Sequence, residues 1–208
     1  MNDRNYGNEM KKVIEGFKGD KKTLLLHSCC GPCSTAVIEK LFPFFDITVF
    51  YFNPNVTESE EYNLRLSEQK RFLKEAYGEK IPIIDGRYKS REFFAVAEGL
   101  EKEPEGGKRC EICFKLRLEE TAKVAKEGGF DYFCSTLTVS PHKNAKLINE
   151  IGEYFGEKYG AKYLANDFKK ENGFKRSVEI SNEHELYRQR YCGCIYSKYA
   201  HIKTDEEE

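Results

Sequence analysis

The chain has no hydrophobic run long enough to cross a bilayer. Its longest apolar stretches, Leu24-Leu25-Leu26 and Ile47 to Phe52, fall far short of the ~20 residues that a spanning helix needs. The first residues, MNDRNYGNEMKK, lack the apolar centre of a secretory signal, so a cytoplasmic location without a membrane partner is expected. Net charge is nearly absent too: 34 Lys+Arg stand against 35 Asp+Glu. Binding by bulk charge is thereby excluded, and only a local patch can hold a polyanion. Neither GxxxxGK[ST] nor GxGxxG occurs, which removes support for ATP-driven chemistry and for a bound dinucleotide. No repeat, linker or low-complexity block interrupts the 208 residues. They read as one domain over 1–203, with an acidic tail at 204–208 expected to be disordered.

What the chain does have is cysteine. Eight cysteines in a chain expected in a reducing compartment are poor disulfide staples. Seven of them cluster: Cys29, Cys30 and Cys33, then Cys110 and Cys113, then Cys192 and Cys194. Cys134 stands alone among Tyr132, Phe133 and Leu137 and reads as a small buried hydrophobe. Clusters at ligand spacing point to metal.

Periodicity places these clusters. Met10, Val13, Ile14 and Phe17 predict an amphipathic helix over about 5–18. Short apolar runs at 23–27, 47–52, 81–84, 131–136 and 162–165 predict five strands. Between them, helices are expected at 34–41, around Tyr62 to Leu73, around Phe93 to Leu100, at 113–126 and at 144–159. The stretch 167–180 has no clean period, and 183–190 suits a short helix. Strand alternating with helix implies a single-domain, Rossmann-like α/β fold, its parallel sheet covered by helices on both faces. Ligands of such sheets sit beyond the C-terminal ends of the strands, where the first cysteine cluster falls.

Three chemistries can use these thiols. Cys30-Gly31-Pro32-Cys33, between a strand and a helix, has the form of a thioredoxin-type redox motif. That reading leaves Cys110, Cys113, Cys192 and Cys194 without a role. Structural zinc takes four thiolates, and so does an iron–sulfur cubane. Seven clustered thiols exceed one such centre, which favours iron–sulfur with a second centre or redox-active thiols beside it. The adjacent Cys29 and Cys30 argue the same way, because neighbouring side chains tend to diverge.

Local charge is the second signal. Lys108, Arg109, Lys115, Arg117, Lys123 and Lys126 outnumber Glu111, Glu119 and Glu120 in their segment. Lys169-Lys170 and Lys175-Arg176 bracket a loop carrying Phe168 and Phe174, and Arg188 follows. Basic side chains interleaved with aromatics suit phosphates and unstacked bases, while a solvated Lys/Glu surface looks the same in sequence. His142-Lys143 after Pro141 suits a phosphate contact or a helix start, and His27 a supporting group beside the cysteines or a satisfied core histidine.

HSCCGPCST, FYFNPN, GGKRCEICFKLRLE, STLTVSPHKN, NDFKKENGFKRSVE and LYRQRYCGC occur in that order. Together, from about Leu24 to Ser197, they resemble the QueH family of epoxyqueuosine reductases. The resemblance implies an oxidoreductase of the last step of queuosine synthesis, reducing the epoxide of epoxyqueuosine at the wobble position of tRNA to an alkene. It implies a [4Fe-4S] cluster with an adjacent mononuclear iron, held by Cys29, Cys30, Cys33, Cys110, Cys113, Cys192 and Cys194 as a set. An electron donor is implied as a partner, and Lys169, Lys170, Lys175, Arg176 and Arg188 become candidates for tRNA contact. Asp167 is the carboxylate favoured as iron ligand or proton donor, with Tyr191 a second proton donor. Arg87 departs from the family pattern, where an acidic residue is expected before the tyrosine. A thiol–disulfide oxidoreductase built on Cys30 and Cys33, or a zinc-stabilised RNA-binding module, stand as alternatives.

Overall fold

The structure, a computed structural model, describes residues 4–206. Leu24, Leu25 and Leu26 form the middle of β1 (Lys22–His27) and are completely buried, as a parallel strand covered on both faces requires. β1 lies between β2 (Phe45–Tyr51) and β4 (Tyr132–Ser135), and β3 (Ile83–Asp85) extends the sheet on the outer side of β2. Every pairing is parallel and the order is β3-β2-β1-β4.

Alternation along the strands divides the core. Leu24, Leu26, Val49 and Cys134 point to the layer that receives Met10 of α1 (Tyr6–Glu15), Ile38 of α2 (Gly31–Leu41) and Phe72 of α3 (Ser59–Tyr77). Leu25, Phe50 and Phe133 point to the other face. There they meet Leu118 and Ala122 of α5 (Lys108–Glu127) and Ile148 of α6 (Ala145–Tyr159). The short α4 (Ser90–Ala97) puts Phe93 and Ala97 against Cys113 and Cys194. α7 (Gly173–Glu183) packs on α2, and α8 (Ile195–Glu206) ends the described chain. Among the described residues no helix is long and apolar enough to cross a membrane. Of the expected tail 204–208, the first three residues belong to α8 and Glu207 and Glu208 lie outside the described residues.

The connections from β1 leave toward β2 on one side, while β4 lies on the other. A crevice therefore opens beyond their C-terminal ends, where doubly wound sheets bind ligands. His27 and Ser135 face each other in register at the last rung, so residues 28–30 and the 3-10 turn Thr136–Val139 emerge side by side.

The expected α/β class and its first four strands are observed. The expected fifth strand at 162–165 is a single parallel bridge between Phe133 and Tyr163. Its chain is drawn onto α6, where a Cβ on Gly152 would lie 2.3 Å from the Tyr163 ring. α2 begins at Gly31 rather than 34 and α5 at Lys108 rather than 113, so Cys33 and Cys110 sit in first helical turns and Cys113 in the second turn of α5. Pro32 explains the first case: its fixed φ and missing N–H suit a first turn. No helix forms over 183–190. α7 precedes it instead, and its period is hidden because Ser177 and Ser181 share the buried face with Ile180.

Candidate metal centre

The loop after β1 is held by buried polar contacts. Ser28 donates to Gln69 (2.6 Å), Gln69 donates to Ser34 (2.9 Å), and Asn53 donates to the Ser28 carbonyl (2.9 Å). So braced, the loop and the first turn of α2 bring the sulfurs of Cys29, Cys30 and Cys33 within 4.8 Å of one another. Cys29 and Cys30 do not diverge: their sulfurs are 3.9 Å apart. One tetrahedral ion with metal–sulfur bonds of about 2.3 Å would separate two thiolates by ~3.8 Å. The triad can hold a metal ion. Thr136 donates to the Cys29 sulfur (3.4 Å) and the Gln189 amide to that of Cys30 (3.1 Å). Negative charge settles on Cys29, held well below the ordinary thiol range by hydrogen bonds from Cys30 and Cys33. Cys30, the thiol that a thioredoxin-type motif needs activated, is pushed up to about 11, chiefly by its hydrogen bond to Cys29.

The other four clustered cysteines line a neighbouring cavity of about 170 Å³. Cys110 and Cys113 come from the first two turns of α5, and Cys192 and Cys194 from the turn before α8. Gly193 makes that turn possible. Its φ is +127°, and an added Cβ would lie 3.0 Å from Val56 and 3.1 Å from the Arg65 guanidinium. Arg65, paired with Glu61, donates to the Cys192 carbonyl at 3.1 Å and so fixes the turn from inside. Backbone N–H groups of Gly106 and Ser197 point at the sulfurs of Cys110 (3.2 Å) and Cys194 (3.4 Å). Burial pushes Cys110 and Cys194 up, and Cys113 up to about 12, so a metal must displace their protons.

Two cations, Arg117 buried and Lys143 half-buried, disclose what such a metal would offset. Arg117, on α5, is 1 % exposed, and among the described residues no carboxylate pairs with it. Its guanidinium meets Asn53 Oδ1 (2.6 Å), His27 Nε2 (3.3 Å) and Cys113 Sγ (4.0 Å). An unpaired charge in such a place costs several kcal/mol, about 3–5, unless an anion faces it. His27 cannot share the charge, since burial and then Arg117 press its pKa down to about 3. Lys143 lines both the four-cysteine cavity and the groove beside Cys33, and no carboxylate pairs with it among the described residues. Asn55 Oδ1, buried against the same cavity, has no hydrogen-bond partner. Two cations without counter-ions among seven thiols fit metal held as thiolate complexes.

The remaining expectations separate. Cys134 lies completely buried in the apolar layer under β4. Asp167 lines neither cysteine cavity; it pairs with Lys169 (3.3 Å) beside a hollow shared with Arg4 and Lys170. Tyr191 lies beside the metal region, under the Arg65 guanidinium at 5.3 Å and next to Glu58. Arg176 is taken by Glu39 (2.7 Å), Glu183 (3.2 Å) and Glu179 (3.4 Å), and Lys175 is exposed near Glu179. Of the candidate cations only Arg188 lines the groove between Cys33 and Cys192. Phe168 is core, whereas Phe174 is exposed on that groove. Arg117, Gln189 and Thr136 were not singled out from sequence as site residues. Only Arg117 carried a signal, standing one helical turn after Cys113.

Fold and site together define an α/β protein with a thiol-rich site, able to hold a metal ion, at the switch point of a parallel sheet. Comparison with known proteins then narrows the class. The family model for "Epoxyqueuosine reductase QueH" matches residues 24–200. A protein of that name from Streptococcus pyogenes serotype M1 is 43% identical over 198 residues, covering 93% of this chain and 78% of its own. One from Staphylococcus epidermidis is 42% identical over 93% of this chain and 84% of its own. One from Thermotoga maritima is 34% identical over 84% and 90%. The chain belongs to the QueH family of epoxyqueuosine reductases, which makes it an oxidoreductase.

Proposed function

We propose that this chain is a cytoplasmic reductase that converts the epoxide of epoxyqueuosine in tRNA to the alkene of queuosine. The observation that carries the reading is the convergence of seven cysteines, as four and three, around unpaired Arg117 and Lys143. The reaction takes two electrons and two protons, and the epoxide oxygen leaves as water. Bound iron would supply electrons one at a time and a Lewis acid. Cys110, Cys113, Cys192 and Cys194 have the number and the cavity for a [4Fe-4S] cluster. Cys29, Cys30 and Cys33 have the spacing for the additional iron.

The chain's own residues do the rest. Lys143 presents positive charge where the two thiol groups meet, which suits an oxygen gaining charge as its C–O bond breaks. Tyr191 borders the same groove and is the phenol positioned to give a proton; Asp167 lies with Lys169 and Lys170 instead. Arg188, Arg190 and Lys143 line the groove and supply cations for tRNA phosphate. The test is anaerobic incubation of iron-replete protein with epoxyqueuosine-containing tRNA and dithionite, without NADPH or cobalamin. Queuosine should form. No queuosine from iron-replete protein, or full turnover by zinc-loaded protein, would overturn the reading.

A further inference from the structure

The groove that joins the two thiol groups encloses about 510 Å³ and is bordered by Cys33 on one side and Cys192 on the other. Its cations are free. Among the described residues Arg188, Arg190 and Lys143 have no carboxylate partner, while Arg176 nearby has three. Its single acidic side chain, Glu105, accepts a hydrogen bond from Ser197 (2.7 Å). Of its two large aromatics Tyr191 is half-buried, whereas Phe174 is held open with 38% of its surface exposed.

The position of Phe174 is built with some strain. Glu171 and Asn172 both take positive φ, 54° and 64°, although neither is glycine. Gly173 follows, where an added Cβ would sit 1.9 Å from the Phe168 carbonyl oxygen, so only glycine fits. That turn launches α7 with Phe174 as its second residue. Thr35 of α2 then ties α7 down, within reach of both the Pro32 carbonyl (3.0 Å) and the Ser177 carbonyl (3.3 Å). A ring on such a support is rigid, and a rigid exposed ring beside unpaired guanidinium groups suits an unstacked nucleobase with phosphates on either side.

We propose that Phe174 is the stacking platform for the substrate nucleobase, which enters the groove turned out of the anticodon loop, with Arg188 and Arg190 on its flanking phosphates. This rests on the reductase reading above and adds to it the surface that recognises the base. The ring contributes through the face of the base, whereas the guanidinium groups act on any RNA of the same charge. The two contributions therefore separate by experiment.

The experiment measures binding by fluorescence anisotropy, using iron-replete protein without reductant and two anticodon stem-loop RNAs. One carries a purine at the wobble position and the other is abasic there. Wild-type protein should bind the purine RNA on the order of tenfold more tightly than the abasic one. F174A should bind both at the abasic level, and F174W should restore the preference. R188A and R190A should weaken both RNAs alike and flatten the salt dependence, leaving the preference intact. An F174A protein that still prefers the purine RNA as wild type does overturns the proposal, as does a wild type with no preference. If the wild type makes queuosine in the assay above, either result removes only the stacking role. If it makes none, the reductase reading falls with it.

Discussion

Arg117 reaches to within 4.0 Å of the sulfur of Cys113, one turn earlier on α5, and among the described residues no carboxylate pairs with it. A guanidinium so placed would stabilise negative charge on metal–thiolate complexes held there and favour their more reduced state. R117M should therefore hold less iron and lower the reduction potential of what remains by about 50–100 mV, at about 59 mV per 1.4 kcal/mol for one electron. R117K should fall between, since it keeps the charge but loses the fork that meets Asn53 and His27. Iron analysis and an anaerobic redox titration measure both. An unchanged potential in R117M would show that the cation acts only on packing.

The division of the cysteines predicts unequal losses. C113S should bleach the visible absorption of anaerobically reconstituted protein, because it opens the four-thiol cavity. C33S should lower the iron count by about one and leave most of the colour. C134S should keep the full iron content while losing about 1–3 kcal/mol of stability, because a hydroxyl replaces a buried thiol in apolar surroundings. Iron per chain, absorbance and denaturant unfolding read the three effects. Equal bleaching by C33S and C113S would argue for a single shared centre.

The cysteines were legible in the sequence because clustering is a local property, and so was most of the sheet, whose strands are short apolar runs between turns. What was not legible depends on partners distant in the chain. Arg176 reads as part of a basic patch, yet Glu39, from α2, neutralises it at 2.7 Å. Arg117 reads as one more solvated cation of α5, yet it is buried among thiols. Phe168 and Phe174 look equivalent in sequence, and only the turn at Glu171 to Gly173 sends one inward and the other out. α7 was invisible because serine forms much of its buried face.

Gly193 gives a prediction that isolates the geometry of the second cysteine pair. At φ +127° an alanine is strained, and its methyl would press on Val56 and Arg65. G193A should cost about 1–3 kcal/mol of strain. The turn can relax only by moving Cys192 and Cys194, so iron retention should fall more steeply than stability. G19A, at an exposed turn of similar backbone (φ +96°) with open space around its Cβ position and far from the cysteines, is the matched control and should keep its iron. Melting curves with iron analysis on both variants make the comparison. Equal iron retention would mean that the turn absorbs the methyl elsewhere.

Glu171 ties three elements together and sets a dependence on acid. Its carboxylate takes Lys11 of α1 and Lys40 of α2, the latter at 2.8 Å, and these hydrogen bonds hold its pKa down at about 2. A carboxylate lowered on folding adds stability above its unfolded pKa of 4.5, and loses it as pH falls toward 2. The glutamate side chain is 54% exposed, so solvent screens the pair and the contribution is about 1 kcal/mol or less. E171Q should therefore be slightly less stable than wild type at pH 6–7, with the difference closing on acidification. Because Glu171 begins the turn that launches α7, the variant also tests whether side-chain pairing or backbone shape supports Phe174. Denaturant unfolding at pH 6, 4 and 2.5 measures the first, and purine-selective RNA binding at neutral pH the second. A stability difference constant across that range would mean that Glu171 acts through packing rather than charge.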